Sequence, residues 1–308
     1  GRYDHIMRLA DKIEEHFDEL VEAESKDNGK PEWLARTVDI PRASENFRFF
    51  ATASLHFDSE IHEMDGKALN YTLRQPVGVA GCISPWNLPL YLLTWKIAPA
   101  LAAGNTVVAK PSEITPMTAF LLSKISQKAN LPKGVLNIVH GYGHKAGDAL
   151  SRHPDVPIIS FTGGTATGEK IASVAAPMFK KLSLELGGKN PNIVFEDAEF
   201  DKSVDMAVKA AFSNQGQICL SGSRLFVQES IYKKFRDTFT SKTKELKVGN
   251  PKEDDSNLGA IVSKAHMEKV LSCIELAKLE GGTILTGGKR IILEGELSEG
   301  YYIKPTII

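Results

Sequence analysis

The stretch Val77-Gly78-Val79-Ala80-Gly81-Cys82-Ile83 decides the fold, because it is an apolar run of strand length with glycines inside it. Such a run predicts a strand buried on both faces, as in a parallel sheet. A helical pattern over residues 88–103 and a strand pattern over residues 105–110 follow, and the alternation continues to residue 161. This order predicts an α/β fold with a parallel sheet covered by helices.

The chain on either side extends this pattern. An amphipathic helix is predicted from residue 6 to residue 28, and a second helical pattern covers residues 31–55. After the pair Gly187-Gly188 the alternation restarts, with strands at residues 192–195 and 224–228. Two adjacent glycines let a chain turn sharply, so a second α/β domain is predicted to begin there.

Composition excludes several classes of protein. The 308 residues are 42% hydrophobic and 24% charged, which excludes global disorder. The 37 basic and 38 acidic residues nearly cancel, so no nucleic-acid or membrane-surface partner is predicted. The longest apolar stretch, residues 88–104, is interrupted by Lys96 and two prolines and is too short to span a bilayer. Three scattered cysteines favour a reduced, cytoplasmic setting.

Cys219 is the first candidate for chemistry. It lies between a predicted helix ending near Asn214 and a predicted strand beginning near Arg224, in a segment with glycines on both sides. A loop of this kind can hold a thiolate beside backbone N–H groups. The alternative is that Cys219 is a small buried apolar residue.

Two further candidates follow predicted strands or lie in them. Glu185 is a single acid in an apolar strand that ends in two glycines, where partial desolvation would raise its pKa and suit a general base. The alternative is an acid that points out of an edge strand. Asn87 lies where a strand meets a helix, and its amide could stabilise an oxyanion. The alternative for Asn87 is a helix N-cap.

Other polar and glycine-rich segments also follow strands. Lys110 and Glu113 could bind a ribose, or could belong to an ordinary turn and helix start. The glycine-rich residues 141–147 and 162–168 could face a phosphate, although such turns link strands to helices in many proteins. The eight histidines are dispersed, and no metal site is predicted.

The order of these segments along the chain is more specific than any one of them alone. Five motifs closely resemble the aldehyde dehydrogenase superfamily: residues 85–87, 110–113, 161–163, 184–189 and 214–219. The resemblance runs from the first helix to residue 308. It implies a Rossmann-type NAD-binding domain in residues 1–50 and 71–186. It also implies a bridging, oligomerising strand segment in residues 51–70 and a catalytic domain in residues 187–308.

The resemblance also implies a mechanism. Cys219 attacks the aldehyde carbonyl as a thiolate, and the Asn87 amide and the Cys219 backbone N–H hold the oxyanion. Hydride transfer to NAD leaves a thioester, and Glu185 activates the water that releases the carboxylic acid. Glu113 favours NAD over NADP. The cofactor-binding residues that the resemblance implies are Ile83, Ser84, Pro85, Trp86, Lys110, Ser112, Glu113, Gly143, Gly147, Phe161, Thr162, Gly163, Gly164 and Leu186.

Within the superfamily, residues 39–50 and 84–96 most resemble the 2-aminomuconic semialdehyde dehydrogenases of tryptophan and kynurenine catabolism. This likeness implies a muconic-type semialdehyde substrate, whose carboxylate Arg42 would bind with its two-pronged guanidinium. The alternative for Arg42 is an ion pair with Asp39 or Glu45. Retinal-type and betaine-type aldehydes are alternative substrates.

The chain also departs from the family pattern. Gly164 replaces a common serine, and the later glutamate-containing segment that positions the nicotinamide ribose has no counterpart here. The chain is therefore expected to be truncated at both ends, and the full-length protein to be a homodimer or homotetramer. Two rival interpretations stay open: a catalytically incompetent relative, and a cysteine hydrolase that needs no cofactor.

Overall fold

The computed structural model describes residues 1–308, and these residues form two compact units. The first unit comprises residues 1–20 and 38–185, and the second comprises residues 21–37 and 186–308. The predicted coenzyme domain included residues 21–37, which group here with the second unit. The functional domain boundaries stay a prediction.

The secondary structure alternates along most of the chain, as the sequence predicts. In chain order the elements are α1 (Arg2–Glu15), α2 (Phe17–Asn28), α3 (Glu32–Leu34), α4 (Ile40–Ala53), β1 (Ile61–Met64), β2 (Ala68–Tyr71), β3 (Val79–Ile83), α5 (Pro89–Ala102), β4 (Thr106–Lys110), α6 (Met117–Lys128), β5 (Leu136–Ile138), α7 (Asp148–Arg152), β6 (Ile158–Gly163), α8 (Thr165–Ala175), β7 (Lys181–Leu186), β8 (Pro191–Val194), α9 (Phe200–Phe212), β9 (Arg224–Val227), α10 (Glu229–Lys244), α11 (Lys264–Leu279), β10 (Arg290–Ile291) and β11 (Tyr302–Ile303).

The first unit is built on a five-stranded sheet with the order β5-β4-β3-β6-β7. Strand β3 pairs in parallel with β4 and with β6, and β4 pairs in parallel with β5. Helix α5 contacts β3 and β4, α6 contacts β5, and α8 contacts β6. The prediction of an α/β fold around a parallel sheet is confirmed. Because the strands are parallel, the segments that follow β3, β4 and β6 leave the sheet at the same edge.

The opening strand owes its burial to close packing. Ile83 belongs to a core cluster with Ile159, Phe161 and Ile171. A Cβ atom on Gly81 would lie 2.7 Å from the Ile159 Cδ1 atom, so a larger residue here would force the Ile159 side chain to move. The glycine inside the apolar run therefore serves the packing of neighbouring strands.

The predicted first helix is divided in two. Helix α1 ends at Glu15 and α2 begins at Phe17, with His16 at the break. The His16 Nδ1 atom lies 2.8 Å from the Lys12 carbonyl oxygen. The prediction of one continuous helix is wrong here, because apolar spacing continues across a one-residue interruption and does not show it.

The second unit contains a two-stranded parallel sheet, β8 with β9. Its core is formed by side chains of α9 and α10 packed with Val194, and Phe235 among them is fully buried. The predicted strand–helix order after Gly187-Gly188 is present. The strand predicted over residues 192–195 is β8, which begins one residue earlier. The strand predicted over residues 224–228 is β9, which begins at the predicted residue.

Residues 61–71, nearly all within the predicted bridging segment 51–70, form an exposed hairpin. Strands β1 and β2 pair antiparallel with each other, and all their side chains are exposed, including Ile61, Met64, Leu69 and Tyr71. None of the helices has the length and apolarity needed to cross a bilayer.

Candidate active site

A polar cluster of the first unit follows β4. Lys110 is the last residue of the strand and is 3% exposed. Its Nζ atom donates to the Pro111 carbonyl oxygen and to Glu113 Oε2, both at 2.8 Å. Partial burial acts to raise the pKa of Glu113, but hydrogen bonds from Lys110 and from backbone N–H groups outweigh it, so the pKa is lowered. Glu113 is therefore ionised near neutral pH and offers acceptor oxygens.

The first glycine-rich segment lies against this cluster. Residues Gly143–Gly147 form a single π-helical turn, and the Gly143 N–H donates to Glu113 Oε1 at 3.2 Å. A Cβ atom on Gly147 would lie 3.8 Å from Lys110 Cδ. The fold thus brings together four of the predicted cofactor residues, Lys110, Glu113, Gly143 and Gly147. Ser112, which lies between the two charged residues, is buried and accepts from the Ile114 N–H through its Oγ.

The segment after β3 runs beside the cluster. The Ser84 N–H donates to the Lys110 carbonyl oxygen at 3.2 Å, which ties the ends of β3 and β4 together. The Trp86 carbonyl oxygen accepts from Thr115 Oγ1. Pro85, Trp86 and Asn87 are half-buried. Helix α5 begins at Pro89 with Leu88 as its N-cap, so Asn87 does not fill the N-cap position offered as its alternative role.

At the end of β6, some residues are closely packed and others are exposed to solvent. Phe161 is buried in the core, and a Cβ atom on Gly163 would lie 2.5 Å from its ring. Thr162 is half-buried. Gly164 is exposed at the N-cap of α8, and a Cβ atom there would meet nothing within 4 Å. The first turn of α8 therefore presents its N-terminal backbone to open space.

Glu185 lies near the end of β7, which is the edge strand of the sheet. Its side chain is exposed, as is that of Leu186. The predicted desolvation of this carboxylate is wrong, and the structure instead shows the stated alternative, an exposed acid on an edge strand. Its role as a base stays a prediction.

Sequence reasoning gave no role to Lys96, a buried lysine of α5. Lys96 is 5% exposed, and its Nζ donates to Ser160 Oγ at 3.2 Å. Burial lowers its pKa to about 8, against smaller opposite effects of Cys82 and Glu185, which places both groups in its electrostatic neighbourhood. The signal was available, since Lys96 is the one charge inside the apolar stretch 88–104.

The Cys219 loop belongs to the second unit. Helix α9 ends at Phe212 and β9 begins at Arg224, so Cys219 lies in the predicted connection. The side chain is exposed, which removes the alternative of a buried apolar cysteine. Asn214, Gln215 and Gly216 have successive φ values of 51°, 57° and 71°, all in the left-handed region. Three such residues in a row need tertiary support, because only glycine adopts this conformation freely.

That support comes from hydrogen bonds around the turn. The Gln217 N–H donates to the Asn214 carbonyl oxygen at 2.9 Å, and Gln215 Nε2 donates to the Ala260 carbonyl oxygen at 2.9 Å. Gln217 Oε1 accepts from the Val262 N–H at 3.1 Å. The glutamines of the motif therefore fix the loop that carries the thiol.

A second residue that the sequence did not indicate is Asn190. Its side chain donates to the carbonyl oxygen of Cys219. No local sequence pattern predicts this contact, since the two residues are 29 positions apart.

Arg42 lies on α4 with an exposed side chain. Its Nη1 atom is 3.6 Å from Glu45 Oε2, and its guanidinium lies 5.8 Å from the centre of the Tyr91 ring. The ion-pair alternative is thus present. Both partners are more than half exposed, so the pair is weak and leaves the guanidinium accessible.

The chain is similar to known proteins along its whole length. The model of the aldehyde dehydrogenase family matches residues 1–308. The chain is 54% identical over 306 residues to human 2-aminomuconic semialdehyde dehydrogenase, covering 98% of this chain and 63% of the human protein. It is 47% identical over 311 residues to 2-hydroxymuconic semialdehyde dehydrogenase of Pseudomonas sp. strain CF600, covering 99% of this chain and 64% of that protein. The chain therefore spans just under two thirds of the length of these relatives.

A solved structure of the same family is similar to this chain. The NAD⁺ complex of an aldehyde dehydrogenase from Bacillus cereus superposes with a TM-score of 0.95 at 41% identity, covering 99% of this chain and 61% of that one. The resemblance predicted from the five motifs is confirmed. The chain belongs to the aldehyde dehydrogenase family.

Proposed function

We propose that the protein catalyses the NAD-dependent oxidation of an aldehyde to a carboxylic acid. One observation carries the proposal: a chain of the aldehyde dehydrogenase family presents an exposed thiol, Cys219, in a loop held by its own glutamines. Exposure and backbone order are what a nucleophilic cysteine requires.

The chemistry starts at the Cys219 sulfur. The thiolate forms a bond to the aldehyde carbon, and the carbonyl π electrons move to oxygen. In this proposal the Cys219 backbone N–H would donate to the oxyanion, and the Asn87 amide is the second candidate donor; one such donor is worth about 100- to 1,000-fold in rate. When the C=O bond re-forms, hydride leaves the carbon and a thioester remains on Cys219.

Hydrolysis of the thioester requires a base. Glu185 accepts a proton from water, the water oxygen bonds to the thioester carbon, and the C–S bond breaks to return the Cys219 thiolate. The exposed position of Glu185 on the edge strand leaves the carboxylate accessible to water.

The first unit offers groups that fit the cofactor. Glu113, ionised and fixed by Lys110, would accept hydrogen bonds from the hydroxyls of the adenosine ribose. The exposed first turn of α8, beginning after Gly164, would face the diphosphate. Bound NAD supplies the acceptor for the hydride. A carboxylate at position 113 would repel a 2′-phosphate, which favours NAD over NADP.

A muconic-type semialdehyde is the proposed substrate. The support is the similarity to the two muconic semialdehyde dehydrogenases and the accessible guanidinium of Arg42. Arg42 would bind the carboxylate of such a substrate through paired hydrogen bonds.

The proposed reaction is tested with two matched cysteine variants. Cys219→Ala is expected to abolish NADH formation while NAD binding, measured by calorimetry, is retained. Cys273→Ala, which removes the other exposed cysteine, should leave turnover unchanged. Full turnover by Cys219→Ala would rule out the mechanism.

The role of Glu185 has its own test. In Glu185→Gln a burst of NADH should precede slow turnover, and intact mass spectrometry should detect an acyl group on the protein. If no acyl group accumulates, Glu185 is not the hydrolytic base.

Arg42→Ala tests the substrate. The Michaelis constant for a carboxylate-bearing semialdehyde should rise about tenfold or more, because a charged hydrogen-bond pair is lost. The matched variant Glu45→Ala removes the ion-pair partner but keeps the cation. An unchanged Michaelis constant in Arg42→Ala would reject the assignment.

We further propose a cytoplasmic homodimer or homotetramer for the full-length protein. The apolar side chains exposed on β1 and β2 are the supporting observation, since a lone hairpin gains stability by pairing. Light scattering of the full-length protein measures the oligomeric state.

A further inference from the structure

Asn190 makes an unusual double contact with the nucleophile loop. Its Nδ2 atom donates to the Cys219 carbonyl oxygen at 2.6 Å and to the Ser221 carbonyl oxygen at 3.2 Å. A primary amide has two N–H donors, so both are used on this one loop. Asn190 thus holds the backbone on the C-terminal side of the thiol.

The backbone of Asn190 is itself held in place. It directly precedes β8, whose first residue Pro191 pairs with Arg224 of β9. The Arg224 N–H donates to the Asn190 carbonyl oxygen at 3.2 Å, and Arg224 Nε donates to the Lys189 carbonyl oxygen at 3.0 Å. The donor amide is therefore anchored to the sheet of the second unit, and this anchor limits the movement of the loop that it holds.

Ser221, which accepts a hydrogen bond from Asn190, is also bonded to the residue that precedes Cys219. The Ser221 N–H donates to the Ile218 carbonyl oxygen at 3.2 Å. That carbonyl and the Cys219 N–H belong to one planar peptide group, so fixing the carbonyl fixes the direction of the N–H. This N–H is the backbone donor proposed for the oxyanion.

We propose that Asn190 is a positioning residue that fixes the Cys219 backbone, and with it the thiol and the oxyanion-binding N–H. The inference rests on the proposed function of Cys219. It predicts that loss of the two donors slows the chemical step without weakening cofactor binding, because the proposed NAD-binding residues other than Leu186 belong to the first unit.

The experiment compares Asn190→Ala with Asn137→Ala. Asn137 is a matched control, since its Nδ2 atom also donates to two carbonyl oxygens, those of Val107 and Gly134, in the first unit. In Asn190→Ala, kcat should fall about 10- to 100-fold, as expected for a misplaced reacting group, with the Michaelis constant for NAD within about twofold of the parent value. Asn137→Ala should keep the parent kcat.

A direct measurement of the loop separates this inference from the proposed function. Hydrogen–deuterium exchange of residues 217–224 should be faster in Asn190→Ala and unchanged in Asn137→Ala. Unchanged exchange would overturn the inference even if Cys219→Ala is inactive. Full turnover by Cys219→Ala would instead remove the proposed function, whatever the exchange result.

Asn190→Asp tests the positioning role through the pH dependence of kcat, which a purely structural role would leave unchanged. The ionised carboxylate has no donor and repels both carbonyl oxygens, whereas the protonated form can donate once. The ratio of variant to parent kcat should therefore rise as the pH is lowered toward about 5, near the upper part of a carboxyl titration. A ratio independent of pH would count against the assignment.

Discussion

Replacing Lys96 with methionine is expected to stabilise the first unit at neutral pH. The ammonium group is buried on α5, with one hydrogen bond to Ser160, and burial lowers its pKa to about 8 from the ordinary 10.5. Methionine has a similar length and no charge, so it removes the cost of burying the ammonium while preserving most of the packing.

The magnitude follows from the lowered pKa. A fall from 10.5 to about 8, at about 1.4 kcal/mol for each pH unit, corresponds to about 3 kcal/mol at neutral pH. The lost hydrogen bond to Ser160 offsets about 1 kcal/mol. Lys96→Met should therefore raise the free energy of unfolding by about 2 kcal/mol near pH 7.

The pH dependence has a definite sign. Because the folded pKa of Lys96 lies below the unfolded one, the unfolded state binds more protons and stability rises as the pH increases from about 8 to 10.5. The advantage of Lys96→Met should accordingly shrink by about 1 kcal/mol between about pH 7 and pH 9.

Cys82 titrates in a different range. Burial raises its pKa to about 12 from the ordinary 9.0, so its contribution to stability is complete below pH 9.0 and is lost as the pH rises through about 12. Measurements kept at or below about pH 9 therefore report mainly Lys96. Loss of the Lys96 charge raises the pKa of the folded Cys82 further, and this leaves the thiol protonated in the folded state of both proteins over that range.

The assay uses the positions of the tryptophans. Trp86 and Trp95 lie in the first unit, and Trp33 lies in the second. In a Trp33→Phe background, tryptophan fluorescence during urea unfolding reports the first unit alone. Lys124→Met, which removes an exposed lysine of α6, is the control and should show no change of this size with pH. A Lys96→Met advantage that is absent, or equal at both pH values, would refute the reasoning.

Two predictions concern the second unit. Gly259→Ala should destabilise it by at least about 3 kcal/mol, because the new Cβ atom would lie 1.9 Å from the Gly29 carbonyl oxygen and backbone must move. Gly164→Ala in the first unit, whose Cβ atom would meet nothing within 4 Å, should change the urea midpoint of that unit little, and a similar loss in both variants would contradict the packing argument. Phe235→Ala should cost about 3–5 kcal/mol, since the ring is fully buried in the core, and a loss below about 1 kcal/mol in urea unfolding followed through Trp33, the tryptophan of the second unit, would show that the core collapses around the gap.

Much of the fold was predictable because its signals are local. The apolar run at residues 77–83 became β3 (Val79–Ile83), and the helical pattern over residues 88–103 became α5 (Pro89–Ala102). Apolar periodicity and turn residues act over a few positions, so they survive in the sequence. The break at His16 left no such signal, since the apolar spacing is the same on both sides.

The candidate site was predictable only in part. Lys110, Glu113 and the glycine turn lie together as expected at the edge where parallel strands end. The sequence left open whether Glu185 is desolvated or points out of an edge strand, because the apolar pattern around it is common to edge and central strands. Its position depends on β7 being the last strand of the sheet.

The sequence by itself determined the α/β class and the family, and it singled out Cys219 as the candidate nucleophile, because strand-length apolar runs and short motifs lie in neighbouring residues. The tertiary structure alone decided the strand order β5-β4-β3-β6-β7, the burial of Lys96 and the contact of Asn190 with Cys219. Each of these depends on hydrogen bonds and packing between segments far apart in the chain. Such contacts form only when the whole unit folds, so no local pattern encodes them.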